Sequence, residues 1–473
     1  MIQTDNKEKQ KIIERVYHYN QDHVFRFWDE LDQKQKDELL EQIDSIDFDL
    51  LNRQIKQVLA DHKPVHYKDL HPPEVVTLNR RKNQDKQVMG IGEKAIARGK
   101  TAALLVAGGQ GTRLGFDGPK GEYPVTPVKQ KSLFQLHAEK LIAIGRRYKT
   151  SIPWYIMTSQ TNKNQTVQFF KDHDYFGYQK GDIFFFTQEM IPAIDRKGKL
   201  ILDEKDHIFM NPNGHGGSIK ALDKSGALQD MKERGADFLF YFQVDNVLTR
   251  ICDPIYFGYH IDAKSEMSSK VVHKKYAEEK MGILCKVSDK LHLIEYSDLS
   301  HEDMHAVNPD GSLKFWAGNI ATHIFDRQFL ERENEGGFRL PYHIAEKSIP
   351  YIDQNGKKTE PDKKNGVKFE TFVFDALEDA RATVCVEVER EMEFSPLKNS
   401  KGENSPTTVR NDLLHLYRSW LETAGYKIPL DKNGKPQIEV EISPLAALSA
   451  GDLIGKQIDF DKGNRQIYIE KLD

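Results

Sequence analysis

The chain has 473 residues, 38% of them hydrophobic and 30% charged, with a formal net charge of −4. That length exceeds one ordinary core and implies two or three domains of a well-solvated globular protein. The charge balance gives no electrostatic footprint for nucleic acid or an anionic membrane, so any anion site must be local.

Cys252, Cys285 and Cys385 are odd in number and far apart, with no CxxC pair. Neither a disulfide framework nor a thiolate zinc site is indicated, and a reducing compartment fits. The N-terminus "MIQTDNKEKQKIIERVYHYN" lacks the apolar core of a secretory signal. No apolar run approaches the roughly 18 residues of a membrane span. The expectation is a cytoplasmic protein with no membrane or nucleic-acid partner.

Residues 1–98 read as helical. Val24, Phe25, Trp28 and Leu31 fall at helical spacing, as do Leu39, Leu40, Ile43 and Ile46, then Leu50, Leu51 and Ile55. This region is expected to be a helical lid or support, closed by the proline-bearing connector "HKPVHYKDLHPPEVV". From Thr101 the character changes. "TAALLVA" is a buried-strand run, and "SLFQLHAEKLIAIGRRYK" reads as a helix opened by a Ser132/Gln135 capping box. "PWYIMTS", "IFFFTQ", "FLFYFQVDN", "SSKVVHKK" and "GILCKV" are further strands, with "NQTVQFFKDH" a helix between the first two. Continuous apolar strands alternating with helices predict an α/β core: a mostly parallel, Rossmann-like sheet with ligands at the strands' carboxyl ends. The polar segment "FSPLKNSKGENSPTT" marks a boundary. After it come a helix, "VRNDLLHLYRSWLETAG", and two alternating strands, "QIEVEISPLAAL" and "RQIYIEKL". The expected divisions are a helical region at 1–98, a catalytic core at 99–394 and a small β-rich domain at 395–473.

The chemistry concentrates in "LLVAGGQGTRLGFDGPKGEYP", Leu104 to Pro124, with six glycines. Gly109, Gly111 and Gly115 give G-x-G-x-x-x-G, one residue too long for a dinucleotide fingerprint. "GEKAIARGKT" spaces its glycines six residues apart instead of four and precedes the strand, so it is not a Walker A loop. What remains is a strand, then a loop of unobstructed amides, then Arg113 and Lys120. Such a loop can wrap phosphates closely, with Arg113 as a planar fork and Lys120 as a point charge held by Pro119. The plain alternative is a tight turn with both cations solvated. Asp245 ends a strand and suits either a Mg²⁺ site or a turn.

The loop resembles the nucleotide-binding loop of eukaryotic-type UDP-sugar pyrophosphorylases, and is most similar to that of UDP-N-acetylhexosamine pyrophosphorylases. "FRFWDEL", "FFTQEMIPAI", "GHGGSIKAL", "FQVDN", "IEYSDLS", "GNIATHIF", "NGVKFETFVFDAL" and "FSPLKN" resemble that family's blocks in the same order. The resemblance implies a nucleotidyltransferase core, Mg²⁺, and conversion of UTP and N-acetylhexosamine 1-phosphate to UDP-sugar and pyrophosphate. It places Lys120, Arg113 and Lys368 on the phosphates, Asp245 on the metal, and Ala107, Gly108, Gly109, Gly111, Gln188 and Gly214 on the nucleotide. It also places His215, Gly282, Glu295 and Asn319 around the sugar. Gln188 can offer one donor and one acceptor to a uracil edge. Lys368 reads equally as a surface lysine, and Gln188 as an ordinary strand-end residue. At His215 the sequence departs from the pattern. Acetylglucosamine enzymes typically carry Asn there, while histidine in G-H-G occurs in broader UDP-sugar pyrophosphorylases. A UDP-glucose or broad-specificity enzyme is therefore the alternative, and a non-catalytic nucleotide-sugar sensor is the reading of a different class.

Overall fold

The computed structural model describes residues 1–59, 67, 69–431, 436–458 and 465–472. The expected connector at 62–76 lies partly outside them, at 62–66 and 68. Contacts divide the chain into two compact units: Met1–Val65 with Gln188–Gly217 and Leu340–Val373, and His66–Thr187 with Ser218–Arg339 and Phe374–Asp473. This division differs from the one drawn by composition, because it gathers segments distant in sequence.

In the smaller unit, helices Lys7–His18, Gln33–Asp44 and Phe48–Leu59 begin where their caps dictate. The Asn6 side chain accepts from the Glu8 and Lys9 amides, and Asp32 forms a full capping box with Gln35. Their apolar stripes, including Ile13, Val16, Leu39, Ile43 and Leu51, share one core with Ile194, Ile208, Val367 and Phe369. The stretch around Val24–Leu31 is not an α-helix. It makes two 3₁₀ turns, Asp22–Phe25 and Trp28–Glu30, joined at Phe27. Phe27 is buried as well as Val24 and Phe25.

The larger unit is built on a sheet of eleven strands among the described residues. Thr101–Val106 lies at its centre, parallel to Trp154–Thr158 on one side and to Phe238–Gln243 on the other. Ile183–Thr187 extends the first side, again parallel. On the second side Ala317–Asp326 runs antiparallel to Phe238–Gln243 and to Met267–His273, and Thr383–Glu387 then resumes the parallel direction. Thr101 to Leu105 are all buried, which explains the unbroken apolar runs in the sequence. Ile283–Val287 pairs with Lys290–Ile294 as an antiparallel extension.

Two helices of this unit, Leu78–Ala97 and Pro254–Asp262, cross at glycines. A Cβ on Gly92 would lie 1.8 Å from the Pro254 carbonyl oxygen, and one on Gly258 would lie 2.0 Å from that of Val88. The glycine of "GEKAIARGKT" therefore serves helix packing. Helix Leu133–Tyr148 is capped by Ser132, which accepts from the Gln135 amide, but the expected capping box is half made. The Gln135 side chain donates to Glu139 instead, 3.0 Å away. The C-terminal segment supplies helix Pro406–Thr423 and the parallel pair Glu439–Ile442 and Gln466–Ile469, and its Val409, Leu413 and Ile442 join the main core. All three cysteines are buried with free thiols. Among the described residues no helix is long and apolar enough to cross a membrane.

Candidate active site

Strand Thr101–Val106 delivers its loop at the carboxyl edge of the sheet. Ala107 is still anchored there, its N–H donating to the Met157 carbonyl at 2.8 Å. The loop then folds on itself. The Gly111 amide donates to Gly118 O (2.8 Å) and the Lys120 amide to Gly109 O (3.1 Å). Gly115 and Gly118 take φ of +71° and +140°, which side chains resist. Gly121 rests on Phe134, where a Cβ would meet ring atoms at 2.1 Å. The amides of Gly108, Gly109 and Gln110 donate to no acceptor among the described residues. A Cβ on Gly109 would meet nothing within 4 Å. Three successive N–H groups with open space at the middle residue are what an anion needs.

Lys120 follows the loop into a 3₁₀ turn, Lys120–Glu122. Its ammonium stands 3.7 Å from the Asp245 carboxylate. Asp245 reaches this point because Phe238–Gln243 is parallel to the loop's own strand, with Gln243 paired to Val106. Asp245 is only 6% exposed, and its carboxylate meets no other donor among the described residues. Arg113 lies on the exposed outer turn of the loop. The structure thus brings together Ala107, Gly108, Gly109, Gly111, Lys120 and Asp245, with Arg113 at the rim.

Gly282, Glu295 and Asn319 form a second group in the same unit. Asn319 donates its amide to the Gly282 carbonyl at 2.9 Å. A Cβ on Gly282 would lie 3.3 Å from Glu295 Oε1 and 2.7 Å from Leu293 Cδ2. Strand Ala317–Asp326 runs antiparallel to Phe238–Gln243, with Tyr241 opposite His323, so Asn319 lies toward the same sheet edge as Asp245.

Gln188, Gly214, His215 and Lys368 belong to the smaller unit. The Gln188 amide nitrogen donates to Asn213 Oδ1 (3.4 Å) and Gly214 O (3.3 Å). Gly214 has φ +84°, and a Cβ there would strike the Thr371 backbone at 2.4 Å. Thr371 pins this turn: its amide and hydroxyl both donate to Asn213 O, and its carbonyl accepts from the Gly216 amide. His215 Nδ1 accepts from the Val373 amide at 3.2 Å, which leaves the neutral ring's proton on Nε2, and the ring stacks on Phe372. Lys368 sits two residues before Glu370 on strand Gly366–Glu370, which leads into Thr371. Its ammonium lies 4.7 Å from the Phe209 ring centroid. Burial pulls its pKa below the ordinary lysine value, partly opposed by Glu370.

Two supporting residues were not singled out in the sequence. The Asn162 side chain donates to Ala107 O (3.0 Å) and Gly109 O (3.4 Å), clamping the loop from the end of the neighbouring strand. The Asn246 side chain donates to Glu393 O and accepts from the Ser395 amide, bracing the turn that presents Asp245. An asparagine after a strand is too common for spacing to single out either one.

The family described as UTP–glucose-1-phosphate uridylyltransferase matches residues 44–427. The chain is similar to the UDP-N-acetylhexosamine pyrophosphorylase-like protein 1 of Xenopus tropicalis, at 37% identity over 97% of this chain and 96% of that one. It is likewise 37% identical to the UDP-N-acetylglucosamine pyrophosphorylase of Saccharomyces cerevisiae, over 86% and 89% of the two chains. The crystal structure of the uridine diphosphate N-acetylglucosamine pyrophosphorylase from Trypanosoma brucei, in complex with an inhibitor, superposes with a TM-score of 0.83 at 25% identity, covering 99% of both chains. On these matches, which span nearly the whole molecule, the chain belongs to the UTP–glucose-1-phosphate uridylyltransferase family.

Proposed function

We propose that the protein is a uridylyltransferase that forms UDP-N-acetylglucosamine, or its acetylgalactosamine epimer, and pyrophosphate from UTP and N-acetylhexosamine 1-phosphate. The observation that carries this reading is the free-amide loop beside the Lys120–Asp245 pair, in a chain whose full-length relatives are named for that product.

The sugar phosphate oxygen attacks the α-phosphorus of UTP and pyrophosphate leaves. A phosphate monoester loses its second proton near about pH 6, so the nucleophile is ionised without a general base. The protein's task is to hold two polyanions in line and offset the charge that moves between them. The amides of Gly108 to Gln110 cradle the triphosphate, and Arg113 closes over it from the rim. Lys120 faces the reacting phosphorus, where charge develops. The resemblance assigns Lys368 to a phosphate, Gln188 and Gly214 to the uridine, and His215 to a sugar hydroxyl. Gly282, Glu295 and Asn319 form the sugar pocket, with the missing side chain at 282 making room for the acetyl group.

Mg²⁺ belongs to the proposal, with Asp245 to hold it. Among the described residues no group of three or more His, Cys, Asp or Glu forms a protein-only cage. Mg²⁺ commonly takes one or two carboxylates plus phosphates and water, and the buried Asp245 carboxylate fits that habit. When bound, the ion would neutralise phosphate charge.

A UDP-glucose or broad-specificity reading is favoured by His215 in its G-H-G turn. Pyrophosphate release from UTP with a panel of sugar 1-phosphates separates the two. N-acetylglucosamine 1-phosphate or its epimer is expected to turn over at least tenfold faster than glucose 1-phosphate, with activity abolished by EDTA and restored by Mg²⁺. Faster turnover of glucose 1-phosphate would select the alternative. Tight UTP binding without product from any sugar would select the sensor.

A further inference from the structure

A cavity of about 430 Å³ opens in the larger unit, lined by none of the residues assigned to the reaction. That volume lies in the range of small-molecule sites. Its walls are mostly apolar, with Ile144, Leu248, Leu416 and Trp420 among them. Lys140 projects into this lining from helix Leu133–Tyr148. Its ammonium donates to the carbonyls of Val247 (2.5 Å) and Thr249 (3.0 Å), which uses two of its three N–H groups. No carboxylate pairs with it among the described residues.

The other charges in the lining are engaged. Arg147 pairs with Asp452 at 2.6 Å, and Glu93 accepts from the Tyr148 hydroxyl at 3.1 Å. Asp253 is held by Lys270 at 3.0 Å and faces Arg250 at 3.8 Å. Lys140 thus has no carboxylate at ion-pair distance on this apolar wall, and burial pulls its pKa down to about 7, partly opposed by the Glu393 carboxylate farther off. An apolar chamber with one unpaired ammonium suits a ligand with the opposite layout.

We propose that this cavity binds a small amphipathic carboxylate, its apolar body among Ile144, Leu248, Leu416 and Trp420 and its carboxylate on Lys140, and that occupancy alters turnover. The route to the reaction is short. The same helix carries Phe134 beneath Gly121, the residue after Lys120. It also carries His137, which bonds the Val244 carbonyl at 2.9 Å, one residue before Asp245. The cavity wall Val247–Ile251 continues from Asp245 itself. An occupant would therefore touch the helix that underlies Gly121 and the segment that follows Asp245. The binding claim stands apart from the proposed reaction, while the claim about turnover rests on it.

The test uses sodium decanoate below its micellar concentration, titrated calorimetrically into the full chain. One saturable site is expected, with 1-decanol binding at least tenfold more weakly. Lys140→Met should weaken decanoate at least tenfold and leave decanol unchanged. Leu416→Trp should remove both, and Ala447→Leu replaces it should melting show that the tryptophan variant does not fold. Non-saturable uptake, or unchanged decanoate affinity in Lys140→Met and the filled variant, overturns the site. Decanoate should change the rate of UDP-sugar formation at least twofold in the parent and leave the filled variant unmoved. A bound ligand with no effect on rate overturns the coupling. Failure of every sugar phosphate to react overturns the proposed function and leaves the calorimetry as evidence on the site.

Discussion

Lys120 stands 3.7 Å from Asp245, too far for a hydrogen bond and near enough for mutual attraction. Each charge is held in a half-dry place by the other. In the proposed reaction the same ammonium meets the phosphate where charge builds, and such preorganised partners are worth about 3–4 kcal/mol, or 10²–10³ in rate. Lys120→Ala is expected to lower kcat by at least 10² while the melting temperature moves by a few degrees. Steady-state pyrophosphate release and calorimetry check the two halves, and turnover within threefold of the parent contradicts the assignment. Both members of this pair were legible in the sequence: one follows a glycine-rich loop, the other ends an apolar strand. Asn162, which clamps the loop, was not legible. A side chain that bonds backbone carbonyls 53 and 55 residues away leaves no spacing pattern.

At the scale of elements, apolar continuity was the dependable signal. Every run read as a core strand from Thr101 to Val287 is one. Parallel strands buried on both faces admit few polar residues, so their composition gives them away. Periodicity alone misled at Val24–Leu31, where the chain makes two short 3₁₀ turns instead of one α-helix. The capping box at Ser132 was half right because Glu139, one turn on, competes for the Gln135 amide. Gly282 tests the sugar-side strands. A methyl there would press on Leu293 and approach Glu295, so Gly282→Ala is expected to raise KM for the N-acetylated sugar phosphate at least fivefold. KM for UTP should stay within twofold. Kinetics with each substrate varied in turn measure the split, and equal damage to both would place Gly282 in the framework instead of the sugar pocket.

For the whole molecule, the N-terminal helices share their core with segments near residues 200 and 360. Nothing local announces that union, since each partner is read as part of a different stretch of chain. Burial at this scale also sets the response to acid. The His260 ring is fully buried; Nδ1 faces the Ser268 hydroxyl and Nε2 has no partner among the described residues. A second ring proton would have no acceptor, and burial pulls the pKa down to about 3. The unfolded chain binds that proton near pH 6.5, so stability falls as pH drops below that value, by about 2 kcal/mol at pH 5. Asp326 and Glu333, raised by burial to about 6 and about 7, titrate with the opposite sign. The diagnostic is therefore a difference. In urea unfolding, His260→Gln should lose about 2 kcal/mol less than the parent between pH 7 and pH 5, and parallel curves would contradict the burial argument.

The three buried thiols have a consequence of their own. Burial lifts Cys285 and Cys385 to about 12 and Cys252 upward as well, so none carries thiolate in the closed fold at neutral pH. Peroxide and disulfide reagents act on thiolates that they can reach. The folded chain therefore offers thiol-directed reagents no handle, and alkylation or disulfide exchange at its cysteines has to wait for the packing around them to open.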